Sequence, residues 1–257
     1  MPAALPDAWP AAASYRYLDH AGPAGLAWEW LRRDPAYHSV AGTSAVALGN
    51  VTFLESASAD CIARWGCLAT PDASLGWMEA PVLWSAAVDA SVLQVVAVPV
   101  MDRQTEPFDL VRSEVRATVV RGGNRQHVLL GSGAGGIRLD VAGGSLLEGP
   151  VSLMHDLSRV VDLEPTLAPL RRFLDFQRTG HLMEVPHASQ RMRRQVLALR
   201  VHDALVAGAS IRDVGVMLFG LERVRDEWAG EALKSQCRRL IAMARDMAAG
   251  GYRKLLG

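Results

Sequence analysis

Lysine is nearly absent from this sequence. Lys234 and Lys254 are the only two, so arginine carries almost all of the positive charge. A bias of that kind follows genomic base composition as much as function. Cysteine is scarce too. Cys61, Cys67 and Cys237 are odd in number and form no paired framework, which excludes a disulfide scaffold and suits a reducing cytoplasm. The longest apolar stretch, around Val92 to Met101, is too short to span a bilayer and is broken by Gln94 and Pro99. The opening MPAALPDAWP has neither a basic start nor an apolar run, so no secretory signal is expected there. The G-x-S-x-G, Walker and HExxH signatures of enzymes are missing as well. Cys61 and Cys67 stand six apart with no matching His or Cys pair, which argues against a structural zinc. These absences lead us to expect no metal, no cofactor, no membrane span and no enzyme.

What is present is a division of charge. The chain is neutral, 27 basic residues against 27 acidic, but residues 1–164 hold 11 and 18, a net −7, whereas residues 165–257 hold 16 and 9, a net +7. A basic module joined to an acidic one suits a nucleic-acid reader with a regulatory half. With 257 residues, half of them hydrophobic, the chain can fill the cores of two modest domains.

The basic end reads as three helices. Met192, Val196, Leu197, Leu199, Val201 and Leu205 recur three and four apart and predict a helix over 190–207, stopped by Gly208. Ser210 and Asp213 form a capping-box variant before a short helix through Ile211, Val214 and Leu218, ended by Gly220. A third helix starts between Asp226 and Gly230 and runs to about Ala248. Its apolar line is Leu233, Cys237, Leu240, Ile241, Ala244 and Met247. The opposite face carries Glu231, Ser235, Arg238, Arg239, Ala242 and Asp246, bordered by Lys234 and Arg245. Arginine forks pair with guanine edges, and cations neutralise phosphates, so Lys234, Ser235, Arg238 and Arg239 are the candidate recognition face of a helix-turn-helix-like domain. Arg191, Arg193, Arg194, Arg253 and Lys254 are the candidates for phosphate contacts. The same helices with a merely solvated basic face would make an ordinary bundle.

SIRDVGVMLFG, then LKSQCRRLIAMARDMAAGGYRKLLG with its Gly250 to Leu256 ending, resembles the C-terminal domain of a family of two-domain bacterial transcriptional activators. AWEWLRRDPAY (27–37), Arg64-Trp65-Gly66 and APVLW (80–84) resemble the regulator-like N-terminal domain of the same family. The resemblance implies control of excision and transfer genes of an integrative and conjugative element, with quorum sensing acting through an antiactivator protein. The family also includes a regulator of type VI secretion.

Between these ends, SVLQVVAVPV, EVRATVVR, RQHVLLG and IRLDVA are short and β-branched. They predict a small antiparallel sheet of three to five strands, with a hairpin turn at Gly122-Gly123-Asn124. GSGAGG, 131–136, matches G-x-G-x-x-G, but a strand follows where a dinucleotide site needs a helix, so it reads as a hairpin loop. The tryptophans at 28, 30, 65, 77 and 84 read as core rather than as a pocket. A helix opens at Pro165 and runs through Phe173, Leu174 and Phe176 to Gly180.

The reading is an α+β chain. It has a loosely ordered 1–14, an α+β regulatory and oligomerisation domain at 15–160, a connecting helix and linker at 161–185 with a turn at Pro186, and an all-α trihelical DNA-binding domain at 186–257. The expected function is a cytoplasmic, sequence-specific transcriptional activator. Its expected partners are double-stranded promoter DNA, a second copy of the chain, an antiactivator and RNA polymerase. Two other readings stay open: an interaction module without DNA affinity, and an enzyme using His155 and Asp156.

Overall fold

A computed structural model describes residues 11–100, 107–156, 164–182 and 190–257; of residues 134, 190 and 191 it describes the backbone alone. The chain divides into two compact units, each built from two stretches. One comprises residues 1–22 and 186–252, the other residues 23–185 and 253–257.

The second unit is organised by a seven-stranded sheet. Its strands are β1 (Ala45–Leu48), β2 (Val51–Leu54), β3 (Leu93–Pro99), β4 (Ala117–Gly122), β5 (Arg125–Leu130), β6 (Ile137–Gly143) and β7 (Val151–His155), in the order β1-β2-β4-β5-β6-β3-β7. The sheet is larger than expected, and it is mixed: β2–β4 and β3–β6 run parallel and the remaining pairs antiparallel. The reason is physical. Parallel neighbours are joined by long crossovers, which leave no local signal in the sequence. The hairpin β1–β2 lies in AVAL-GN-VTFL, which lacks the polar alternation that marks a half-buried strand.

Alternation through the central strands builds a core on each face, because successive side chains of a strand point to opposite sides. Val119, Val128, Leu130, Leu139 and Val141 pack with Phe173 and Phe176 of the helix α4 (Glu164–Thr179). Val120 and Leu129 pack instead with Leu54, Leu68, Ala69 and Leu83. Each fully buried leucine or phenylalanine in these layers contributes about 1.5–3 kcal/mol. The β4–β5 turn is the two-residue Gly123-Asn124, with Gly123 at φ +58°. GSGAGG closes the β5–β6 hairpin, as the strand following it implied. A Cβ at Gly133 would sit 2.2 Å from the Trp77 carbonyl oxygen, so close backbone packing requires glycine there.

The tryptophans at 28, 30, 65, 77 and 84 are all buried. In AWEWLRRDPAY, spanning α1 (Gly22–Leu31) and α2 (Pro35–His38), Glu29 is wholly buried and accepts from Arg32 at 3.1 Å, Arg33 at 2.8 Å and the Trp77 N–H at 3.0 Å. Arg32 also donates to the carbonyls of Ala73 and Ser74, and Trp28 Nε1 to that of Leu75. The motif is thus a polar clip that fixes the 73–77 loop. Asp34 caps α2 and accepts from Trp65 Nε1 at 3.0 Å; Trp65 ends the helix α3 (Ala59–Trp65).

The first unit is helical: a 3-10 helix (Ala12–Leu18), then α5 (Gln190–Val206), α6 (Ile211–Phe219), α7 (Leu221–Glu227) and α8 (Glu231–Ala248). The stretch between Gly220 and the third predicted helix is itself a helix, α7. It buries only Val224, too little to give a helical period. The 3-10 helix begins inside the segment expected to be loose and packs on α5, where the Tyr15 hydroxyl donates to Asp203 Oδ2 at 2.5 Å. The turn expected at Pro186 lies outside the described residues.

Candidate nucleic-acid interface

α8 carries the candidate recognition face. Gly230 is its N-cap without a side-chain bond, and Glu231 places a carboxylate in the first turn, where the helix dipole favours negative charge. Leu233, Cys237, Ile241, Ala244 and Met247 are buried, while Leu240, expected on that line, is half-buried. The helix stops at Gly250, φ +102°. A Cβ on Gly251 would come within 2.6 Å of the Asp246 carbonyl oxygen, and Tyr252 is buried. The Gly-Gly-Tyr ending is therefore a helix stop followed by an aromatic anchor.

On the outer side of α8, Arg238, Arg239, Ala242, Arg245 and Asp246 are exposed. Lys234 and Ser235 are half-buried and border this surface rather than head it. Arg238 is held: its Nη1 donates to Glu231 Oε2 at 2.8 Å, and Lys234 Nζ lies 3.7 Å from Glu231 Oε1. The bond and charge of Arg238, with a smaller contribution from Lys234, hold the Glu231 carboxyl below its usual range. Arg239 and Arg245 have no hydrogen-bond or ion-pair partner among the described residues.

α5 supports this helix and adds further charge. Met192, Ala198, Leu199, Val201 and Ala204 are buried, so the inward stripe runs through two alanines, while Leu197 is exposed and Val196 and Leu205 half-buried. Arg193 and Arg194 are exposed and, among the described residues, also without partners. The Arg191 side chain lies outside the described residues. Arg200 donates to the Met217 carbonyl at 3.4 Å near the end of α6, which is a structural use of the guanidinium. Burial lowers its pKa, with a smaller raising effect from Tyr15.

α6 begins with the capping box expected from the sequence: Ser210 Oγ accepts from the Asp213 N–H at 3.2 Å, and Asp213 Oδ2 from the Ser210 N–H at 2.9 Å. Arg212, just inside that cap, is exposed and partnerless among the described residues. α7 follows after Gly220 alone. A Cβ at Gly215 would sit 2.8 Å from Trp228 and 3.4 Å from Val224, so that glycine lets the α7 end close onto α6. The α7 arginines are spent locally, Arg223 on Glu227 at 3.1 Å and Arg225 on Asp226 at 3.3 Å. Three residues, Trp228 to Gly230, join α7 to α8.

The nine residues singled out from sequence are not all in one unit. Lys234, Ser235, Arg238 and Arg239 share α8, and Arg193 and Arg194 lie on α5, which packs against α8. Arg253 and Lys254 belong to the sheet unit, where Arg253 Nη1 donates to the Ala63 carbonyl at 3.4 Å. Arg212 and Arg245 were not among the nine. Helical position puts Arg245 at the border of the face, and exposure without a partner among the described residues adds both.

The enzyme candidates, His155 and Asp156, lie at the end of β7, where the Asp156 N–H donates to the Gln94 carbonyl at 2.9 Å. The His155 ring lies 5.5 Å from Phe173, and burial lowers its pKa. Burial pushes the Cys67 thiol far above its usual range, slightly offset by Arg138. Among the described residues no group of three His, Cys, Asp or Glu side chains could hold a metal ion, and no helix is long and apolar enough to cross a membrane.

Comparison with known proteins gives two family matches. Residues 161–257 match the family described as "T6SS, Transcription factor, DNA binding domain". Residues 8–67 match the "Proteobacterial transcriptional regulator-like domain". No curated protein matches the chain.

Proposed function

We propose, from the premise that this chain carries both domains of a two-domain transcriptional-activator family and is a DNA-binding transcription regulator, that α8 enters the groove of promoter DNA. Arg238 and Arg239 then face the base edges, with Lys234 and Ser235 beside them. Arg193, Arg194, Arg212 and Arg245 contact phosphates. The observation that carries this reading is the outer face of α8: Arg239 and Arg245 are exposed without partners on either side of Ala242, whose small side chain allows close approach of the helix. The three-residue turn before α8 and the glycine-seated α7 support a helix-turn-helix-like arrangement.

The sheet unit serves for oligomerisation and regulation in this reading, and it receives an antiactivator or contacts RNA polymerase. The target genes are those for excision and transfer of an integrative and conjugative element. The description of the C-terminal family favours a second target, a type VI secretion cluster. The test is fluorescence anisotropy of the full chain on a duplex from its own upstream region and on a scrambled duplex. Tighter binding to the first, weakening steeply with salt, is expected. Binding to neither would move the protein to the class of interaction modules without DNA affinity.

A further inference from the structure

Among the described residues, the sheet ends on one side in a strand that nothing covers. All four residues of β1 are exposed, and all four are apolar, with Val46 at 64% and Leu48 at 72% exposure. Edge strands of monomeric proteins are commonly blunted by charge, proline or a bulge, because their free N–H and C=O groups template another strand. β1 has none of these devices: its register with β2 is regular from Ala45↔Leu54 to Leu48↔Val51. At the opposite edge, by contrast, Phe108 bonds back onto Val151 of β7 at 2.8 and 3.0 Å.

Val46 and Leu48 pair with Phe53 and Val51. Cross-strand partners share a face, and Val51 belongs to the core layer under α4, with Phe53 packed against it. The apolar face of the sheet therefore runs outward past its own cover and ends on Val46 and Leu48.

Charge decides what completes it. From Ser39 to Leu54 there is no charged residue, in a chain with 27 basic and 27 acidic ones. The charge against this face is on β4, Arg121 over the Phe53 ring at 5.4 Å; the edge strand itself carries none, so an identical strand meets no repulsion from it. We infer that β1 is a self-association edge: it pairs antiparallel with β1 of a second copy about a two-fold axis, joining two sheets into one and setting Val46 and Leu48 of each copy against the other. The second copy rests on the oligomer of the proposed function; the surface is the new element. Four residues a side bury less than the ~1,200 Å² typical of a stable complex, so the pairing is weak in free protein and is reinforced when two copies sit on adjacent half-sites.

The experiment uses the full chain. Sedimentation velocity over a concentration series compares wild type with the double variant Val46→Lys, Leu48→Lys. Both side chains are exposed, so the melting temperature should hold, and like charges brought together across the axis should weaken self-association at least about tenfold. Hydrogen exchange of the wild type supplies a readout independent of the variant: amides of residues 45–48 should gain protection as concentration rises. A wild type that dimerises while the double variant dimerises equally, with no concentration-dependent protection at 45–48, overturns the β1 edge and leaves the oligomer standing. A wild type that stays monomeric both free and on DNA overturns both.

Discussion

In the sheet unit Arg32, Arg33 and Arg138 are each turned onto a carboxylate or a backbone carbonyl. In the helical unit Arg193, Arg194, Arg212, Arg239 and Arg245 are exposed and, among the described residues, bonded to nothing. The same side chain does two jobs. A guanidinium taken out of water must be matched by acceptors, so the arginines of the first set are held in fixed places and lend the fold specificity. A guanidinium left in water forgoes that and keeps its five donors available for an anionic partner. Net charge hides this distinction, because both kinds of arginine count as +1.

The largest effect is expected at Glu29. Glu29→Ala strands Arg32, Arg33 and the Trp77 N–H together, and should cost about 3–5 kcal/mol of stability. Chemical denaturation of the full chain measures it. A loss under 1 kcal/mol would mean the arginines find other partners and the clip is not structural.

Next is the bond between Tyr15 and Asp203. Tyr15→Phe removes a hydrogen bond to a charged, part-buried acceptor and should cost about 1.5–3 kcal/mol. It follows that residues 186–257 cut from the chain should melt lower than the same residues carrying 1–22. Equal melting of the two would show that the 3-10 helix adds nothing.

Glu231→Gln acts in the opposite direction. It removes the carboxylate that holds Arg238 and Lys234. Affinity for duplex DNA of any sequence should rise several-fold in anisotropy titrations, with the melting temperature little changed. A fall would show instead that Glu231 aims Arg238 at its target.

The smallest effect concerns pH. His155 has its folded pKa below the ordinary 6.5 because of burial, so the unfolded chain binds more protons. The stability this group contributes is present above pH 6.5 and is lost as pH falls through and below that value. In His155→Phe the melting temperature should decline less between pH 7 and pH 5 than in the wild type. Parallel declines would rule out the ring as a contributor.

What the sequence revealed depended on how local each feature is. The Ser210–Asp213 capping box, the Gly123-Asn124 turn and the Leu233-to-Met247 line are written within one turn or one helix, and all could be read. Leu240 misled because an apolar residue at helical spacing can stop at the rim of a core. α7 escaped notice because one buried residue, Val224, gives no period. The β1–β2 hairpin was missed because its first strand is apolar yet exposed, the reverse of the usual rule. Arg253 and Lys254 follow the helices directly in the chain, and by contact they group with the sheet unit. The Arg238–Glu231 pair spans seven residues, two helical turns, and was legible in principle from that spacing.

In the proposed function the partnerless arginines of the helical unit form the DNA surface. The most direct measurement is the dependence of full-chain affinity on salt for wild type and for Arg239→Ala, Arg245→Ala. Each phosphate contact contributes a slope of about 0.9 in log affinity against log salt. If both residues contact phosphates, the double variant should flatten the slope by about 1.8; if Arg239 reads a base, the slope should flatten by about half that and preference should relax at one base pair. In either case the melting temperature should be unchanged, because neither side chain touches the core. A double variant with wild-type affinity, slope and sequence preference would place the DNA surface elsewhere than on the outer face of α8.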